Sequence, residues 1–157
     1  MRNFRSIGGA FVAVAAAAAV AGIAGLSAAP AHADGPVQVK SRMGDVCLDA
    51  PDGSWLTAVV VNPCNGSDSQ RWNQNGEQLE SVAFAGNCLT SPNEDRWTAH
   101  LGPCLNWFNQ HWSPQPNGHI MISLDGCLTV LGGPNPGTWV STRFCGGDVD
   151  QGWDLVA

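Results

Sequence analysis

A tripeptide of the form Gln-x-Trp occurs three times in this chain: Gln70-Arg71-Trp72, Gln110-His111-Trp112 and Gln151-Gly152-Trp153, at intervals of 40 and 41 residues. Six residues before each Gln stands a cysteine, Cys64, Cys104 or Cys145. Further back lies a second cysteine, followed by Leu and then Asp or Thr: Cys47-Leu48-Asp49, Cys88-Leu89-Thr90 and Cys127-Leu128-Thr129. All six cysteines belong to this pattern. A period this regular marks one supersecondary unit used three times, and a single such unit cannot bury its own apolar face. The three must pack together.

The repeat does not include residues 1–33. Arg2 and Arg5 make a basic start, Ile7 to Leu26 is uncharged, and Ala31-His32-Ala33 supplies a small-x-small pattern. These features predict a secretory signal cleaved before Asp34. The competing reading is a membrane anchor, since the uncharged run is close to the ~20 residues a spanning helix needs. Its Ala- and Gly-rich composition and the cleavage pattern at its end favour the signal. No membrane insertion is expected after cleavage, and the product is expected to be secreted. Without Arg2 and Arg5, the five remaining basic residues stand against 13 acidic ones, a net charge of −8. A surface that acidic repels phosphate, which argues against nucleic acid and anionic membranes as partners.

Six cysteines in an exported chain read as three disulfides, and fifteen pairings are open. Equal loops in equivalent units favour closure within each unit: Cys47–Cys64, Cys88–Cys104 and Cys127–Cys145, with separations of 17, 16 and 18. Each should contribute roughly 3 kcal/mol by restricting the unfolded chain. Metal binding by thiolates is the poorer reading, because no two cysteines are close in sequence. No cofactor is implied.

Short alternating runs separated by Gly and Pro predict an all-β fold of twelve strands in three units, residues 35–75, 76–116 and 117–157. In the first unit strands are expected at Val37 to Ser41, Val46 to Asp49, Thr57 to Asn62 and Gln70 to Asn73. The second unit repeats this with Glu77 to Val82, Asn87 to Thr90, Trp97 to Leu101 and Asn109 to Ser113. The third has His119 to Ser123, Gly126 to Val130, Thr138 to Phe144 and Gln151 to Leu155. Residues two apart on a strand share a face. Each Trp of Gln-x-Trp is therefore expected in the core, with its Gln satisfying a buried backbone group beside it. The middle residues, Arg71, His111 and Gly152, are expected to point outward.

Three units of Cys-Leu-Asp/Thr, Cys and Gln-x-Trp resemble the ricin-type β-trefoil, the fold of R-type lectins and of carbohydrate-binding modules of secreted glycosidases. The resemblance covers residues 34–157. It implies a six-stranded barrel capped by three hairpins, with pseudo-three-fold symmetry, and the same within-unit disulfides. It also implies a shallow sugar pocket in each unit. The Asp after Cys-Leu would accept hydrogen bonds from sugar hydroxyls, and an aromatic two residues before the second Cys would stack on the ring. Asn-Gln of Asn-Gln-x-Trp would complete the polar contacts.

No unit carries that full set. The first keeps Asp49 but has Asn62, which cannot stack, at the aromatic position, and Ser69 before Gln70. The second has Thr90 and Gly102, with Asn109-Gln110 retained. The third has Thr129 and Arg143, with Asp150-Gln151. The candidate carbohydrate contacts are Asp49, Asn62 and Gln70, then Asn109 and Gln110, then Asp150 with Trp139. Trp139 shares a strand face with Arg143 and is either an exposed aromatic beside the third pocket or packed under its loop; Trp107 has the same two readings. Asp49 has an alternative role as a cap of the Pro51-Asp52-Gly53 turn. Asp148 and Asp150 in a Gly-rich loop read as solvated acids rather than a cation site.

Catalysis has little support in the sequence. No Gly-x-Ser-x-Gly, His-Glu-x-x-His or phosphate loop is present, and Glu94-Asp95 lie in one turn facing different ways. Two function classes follow. One is a non-catalytic secreted lectin that binds glycan or polysaccharide. The other is a trefoil with degenerate pockets that binds a protein as an interaction or inhibitor module.

Overall fold

The computed structural model describes residues 35–94, 96–122 and 126–157. The expected signal segment, together with Asp95 and Ser123, lies outside the described residues. The fold is a β-trefoil of twelve strands. The first unit holds β1 (Val37–Ser41), β2 (Val46–Asp49), β3 (Val60–Pro63) and β4 (Arg71–Asn75). The second holds β5 (Gln78–Ser81), β6 (Asn87–Thr90), β7 (His100–Pro103) and β8 (Trp112–Pro114). The third holds β9 (Ile120–Ile122), β10 (Gly126–Val130), β11 (Thr138–Phe144) and β12 (Trp153–Val156).

Six of these strands form a closed barrel. β1 lies antiparallel between β4 and β12, with Val37 opposite Trp72 and Val39 opposite Leu155. β4 pairs β5, and β8 pairs β9. The two remaining joints are single bonds at the entry to a unit: Trp112 N–H donates to the Glu77 carbonyl at 2.7 Å, and Trp153 N–H to the Gly118 carbonyl at 2.9 Å. Closure removes the exposed sheet edge that an open meander would leave. The hairpins β2–β3, β6–β7 and β10–β11 make up the other half of the fold.

The hairpins meet in a ring of backbone bonds. Val59 N–H donates to Ala99 O (2.9 Å), Ala99 N–H to Val140 O (2.8 Å), and Val140 N–H to Val59 O (3.1 Å). These three residues repeat at the same intervals of 40 and 41 as the Gln-x-Trp tripeptide. Each is essentially buried, so the ring satisfies three donors and three acceptors that water cannot reach. It is a pseudo-three-fold axis written in hydrogen bonds.

The core is built from Trp72, Trp112 and Trp153 with Leu48, Leu89 and Leu128, all at most 2 % exposed. Each indole N–H donates to the carbonyl of the Leu in its own unit: Trp72 to Leu48 (3.2 Å), Trp112 to Leu89 (2.8 Å), Trp153 to Leu128 (2.9 Å). A buried indole needs such a partner, and the Leu of Cys-Leu supplies it through its backbone. The three disulfides join Cys47–Cys64, Cys88–Cys104 and Cys127–Cys145, each spanning 5.0 Å between Cα atoms.

Four expectations from the sequence need correction. The Gln of each Gln-x-Trp is not on a strand. It ends a single 3-10 turn, Asp68–Gln70, Phe108–Gln110 or Val149–Gln151, and the strand begins after it. A backbone bond closes each turn, with Gln70 N–H donating to Ser67 O and Gln110 N–H to Trp107 O, both at 2.9 Å. The alternating face therefore does not explain the Gln; its side-chain bonds do, as described below. The third strand of the first unit starts at Val60 rather than Thr57, because Asp52 holds the preceding loop: its carboxylate accepts from Ser54 N–H (2.8 Å) and the Thr57 hydroxyl (2.9 Å). Likewise Trp97 to Ala99 precede β7 instead of joining it. Finally, Gly152 does not point to solvent. It is buried under Arg42, whose Cδ would stand 2.9 Å from any added Cβ. Arg42 itself donates to Asp154 Oδ1 (2.7 Å from Nη2) and to the Asn117 carbonyl (2.6 Å). Its guanidinium holds the Asp154 carboxyl below the usual carboxylate range.

Candidate functional site: the three repeat pockets

In every unit the Gln side chain performs the same three tasks. Its Oε1 accepts a backbone N–H five residues upstream: Asn65 to Gln70 (2.9 Å), Leu105 to Gln110 (3.1 Å), Gly146 to Gln151 (2.7 Å). Its Nε2 donates to the carbonyl at the end of the hairpin: Pro63 (3.0 Å), Pro103 (2.8 Å), Phe144 (2.9 Å). The same Nε2 donates to the residue after Cys-Leu: Asp49 Oδ2 (3.0 Å), Thr90 Oγ1 (3.0 Å), Thr129 Oγ1 (3.1 Å). Only a primary amide offers two donors and an acceptor on one flat group, so no other apolar-sized side chain meets all three demands. The Gln fastens the loop after the second Cys to the hairpin.

The units part at the third partner. Thr90 accepts from Gln110 and donates onward to the Cys88 carbonyl at 3.0 Å. Thr129 does the same between Gln151 and the Cys127 carbonyl, the second bond measuring 2.7 Å. Each hydroxyl donates its single proton inside the unit and takes the amide proton in return. The circuit is closed.

Asp49 cannot close it, since a carboxylate has no proton to give. One oxygen, Oδ2, accepts from Gln70 Nε2 and from Asn62 Nδ2, both at 3.0 Å. The other, Oδ1, is buried and has no partner. Asp49 is only 6 % exposed, so this is a desolvated acceptor held in place by two amides. A buried acceptor without a donor costs on the order of 1–3 kcal/mol. Asn62, at the position where an aromatic would stack, passes the network on: its Oδ1 accepts from Gly137 N–H (2.9 Å) at the end of the turn leading into β11. Asp49, Asn62 and Gln70 are thus one connected cluster. The turn-capping role at Pro51-Asp52-Gly53 belongs to Asp52, while Asp49 accepts from Asn62 and Gln70.

The other candidates fall at separate places. Asn109 and Asp150, half-buried beside Gln110 and Gln151, each have an Oδ1 that is buried and unpaired. In the second unit Gly102 leaves the pocket floor bare, and an added Cβ would come 3.0 Å from Thr90 Oγ1. Trp139 is 45 % exposed and lines a cavity of about 330 Å³ with Arg143, the residue at the third unit's stacking position. Trp107 is also largely exposed.

The ricin-type beta-trefoil lectin domain matches residues 35–153, spanning all three units. The chain belongs to that family. Proteins named as uncharacterised in Mycobacterium bovis and Mycobacterium tuberculosis are 55 % identical over 158 residues, with 99 % of each chain covered. Among solved structures, the designed three-fold symmetric protein ThreeFoil superposes with a TM-score of 0.65 at 19 % identity, over 79 % of this chain and 99 % of its own. The earthworm R-type lectin C-half in complex with GalNAc gives 0.66 at 13 %, over 78 % and 98 %. The Vibrio vulnificus hemolysin/cytolysin beta-trefoil lectin with N-acetyl-D-lactosamine bound gives 0.64 at 22 %, over 80 % and 96 %. At these identities the structural likeness establishes the shared trefoil.

Two residues escaped the sequence reading of the family trefoil. Trp55 and Trp97 were not singled out, although with Trp139 they form a second tryptophan series at intervals of 42, nearly the period of the repeat. All three are at least 45 % exposed. Their spacing was the available signal.

Proposed function

We propose that this protein is a secreted, non-catalytic glycan-binding lectin whose working sugar pocket is the first unit's, centred on Asp49. The observation that carries the reading is the unpaired, buried Oδ1 of Asp49 beside the Gln70 and Asn62 amides. A sugar hydroxyl is a neutral donor of the right size for that oxygen, and an ionised acceptor makes the stronger, charge-assisted bond. The lactosamine- and GalNAc-bound trefoils support the class of ligand. Export rests on the basic, uncharged and small-x-small pattern of residues 1–33, with cleavage before Asp34 and no membrane insertion of the product. The non-catalytic reading is supported by the histidines: His100 is buried with Nδ1 at 3.2 Å from the Thr98 carbonyl, His111 meets Asn106, and His119 meets Asn117.

A protein-binding trefoil is the second reading. It is favoured by Asn62, which stands where a stacking ring would be and is already bonded at both ends. A glycan array separates the two, using the disulfide-bonded protein and Asp49→Thr. That substitution installs the closed circuit that the second and third units already contain, so the fold is kept. Binding to at least one glycan, reduced tenfold or more by Asp49→Thr at unchanged melting temperature, is expected. No glycan bound, or equal binding by the variant, would sink the lectin reading at this site.

A further inference from the structure

The face where the three hairpins meet joins Trp139 and Arg143 of the third unit to Trp97 and Arg96, which no repeat pocket includes. Trp97 and Trp139 stand next to the axial ring of hydrogen bonds, two residues before Ala99 and one before Val140. Their rings meet edge to face with centroids 4.9 Å apart and planes at 75°. The Ser141 hydroxyl, itself buried on β11, donates to the Trp97 carbonyl and ties the two hairpins together below the rings. Yet Trp97 remains 63 % exposed and Trp139 45 %. The pair forms the shared wall of two cavities. One, of about 320 Å³, is completed by Leu56, Ala58, Arg96 and Thr98. The other, of about 330 Å³, is completed by Leu131, Gly137, Thr138 and Arg143.

Charge decides what belongs there. Residues 35–157 contain five Lys and Arg. Lys40 is paired with Asp45 (2.7 Å), Arg42 with Asp154 (2.7 Å) and Arg71 with Asp68 (3.8 Å). Among the described residues, Arg96 and Arg143 have no carboxylate partner. Each lines one of the two cavities, and Arg96 is held by its contact with the Trp55 ring, 4.7 Å from the centroid. On a chain of net charge −6, the two cations without a carboxylate partner among the described residues therefore flank the exposed indole pair. A ligand complementary to this arrangement presents an apolar C–H face to an indole and an anion to a guanidinium. An acidic sugar ring has both groups.

We propose that Trp97, Trp139, Arg96 and Arg143 form a second binding site, at the hairpin junction, for a carboxylate-bearing saccharide. The indoles take the ring face and the arginines the carboxylate. This site shares no side chain with the Asp49 pocket and adjoins it where β11 pairs β3 and Gly137 N–H goes to Asn62.

The test is a titration of the disulfide-bonded protein with oligogalacturonate, a hyaluronan tetrasaccharide and sialyllactose, each also as its methyl ester. Esterification removes the charge and leaves the ring. Tryptophan fluorescence reports binding, and thermal melts confirm that variants are folded. At least one acid is expected to bind, with its ester tenfold or more weaker, and the affinity is expected to fall as salt rises. Arg143→Gln and Trp139→Ala should each weaken it tenfold or more, while Asp49→Thr leaves it unchanged. The proposal is overturned if no acid binds, if acid and ester bind alike, or if folded Arg143→Gln and Trp139→Ala bind as the parent does. Loss of acid binding in Asp49→Thr would equally overturn it, assigning the acid to the first-unit pocket. So would binding to phosphatidylglycerol vesicles with none to the saccharides.

Discussion

The molecule contains two tryptophan triads with nearly the same period and opposite fates. Trp72, Trp112 and Trp153 line the barrel at 0, 1 and 2 % exposure, each with its indole N–H bonded to a leucine carbonyl. Trp55, Trp97 and Trp139 crown the hairpin junction at 59, 63 and 45 %. The difference lies in what precedes them. Each core Trp follows a Gln whose amide is locked into three bonds, so the strand enters the barrel at a set point. Each outer Trp lies in the connection between the two strands of a hairpin or at its end, outside the barrel. One triad stabilises the fold. The other leaves its rings largely to solvent.

That contrast can be broken experimentally, beginning with the largest effect. Trp112→Ala removes a fully buried indole and its hydrogen bond and should destabilise by about 3–5 kcal/mol, whereas Trp97→Ala should stay within about 1 kcal/mol of the parent. Urea unfolding midpoints measure both, and equal losses would erase the distinction between the triads. Removing the Cys88–Cys104 bridge by a double Cys→Ser substitution should cost about 3 kcal/mol in the same assay, since it unties the second unit's hairpin. Gln110→Ala leaves the Leu105 N–H and the Pro103 carbonyl without their partner and should cost about 1–3 kcal/mol. Gln110→Glu should recover little, because a carboxylate cannot donate to Thr90 and Pro103.

The smallest effect concerns pH. His100 lies between the triads, and burial is the main cause that pushes its pKa below the usual 6.5, with the Thr98 carbonyl opposing and the nearby Arg96 charge adding to the shift. The folded state therefore holds the neutral imidazole, while the unfolded chain takes up a proton near 6.5. The stability from this group is complete above that value and is lost as pH falls through the folded pKa. Melting temperature should decline between pH 7.5 and 5, and His100→Gln should flatten that part of the profile. A parallel decline in the variant would assign the effect to other groups.

These residues also show where a sequence can be read and where it cannot. The trefoil was legible because its period is carried by residues with few alternatives: cysteines that must pair and a Gln-x-Trp that recurs in register. Strand limits were less so, as at Thr57 to Val59, where an Asp52 loop and the axial ring claimed residues with strand-like composition. Gly152 misled for a related reason. Its neighbour is Arg42, 110 residues away in sequence, and only the meeting of the first and third units explains a glycine there. At the pockets, the identities Asp49, Thr90 and Thr129 were in plain view. What was invisible was the proton count: two hydroxyls that close a circuit and one carboxylate that leaves it open.

The pairing of β1 with β12 has a consequence for how such a chain comes together. The first strand to emerge from synthesis has to wait for the last before the barrel can shut, so its longest-range contacts form late. The disulfides run on another schedule. Each closes a loop of 16 to 18 residues wholly inside one unit, so the first cysteine of each unit has its correct partner in the nearest downstream one. In an oxidising compartment the three hairpins can be tied one after another, in the order in which they appear, without reshuffling. The pairing of β1 with β12 is then left until both strands have been made.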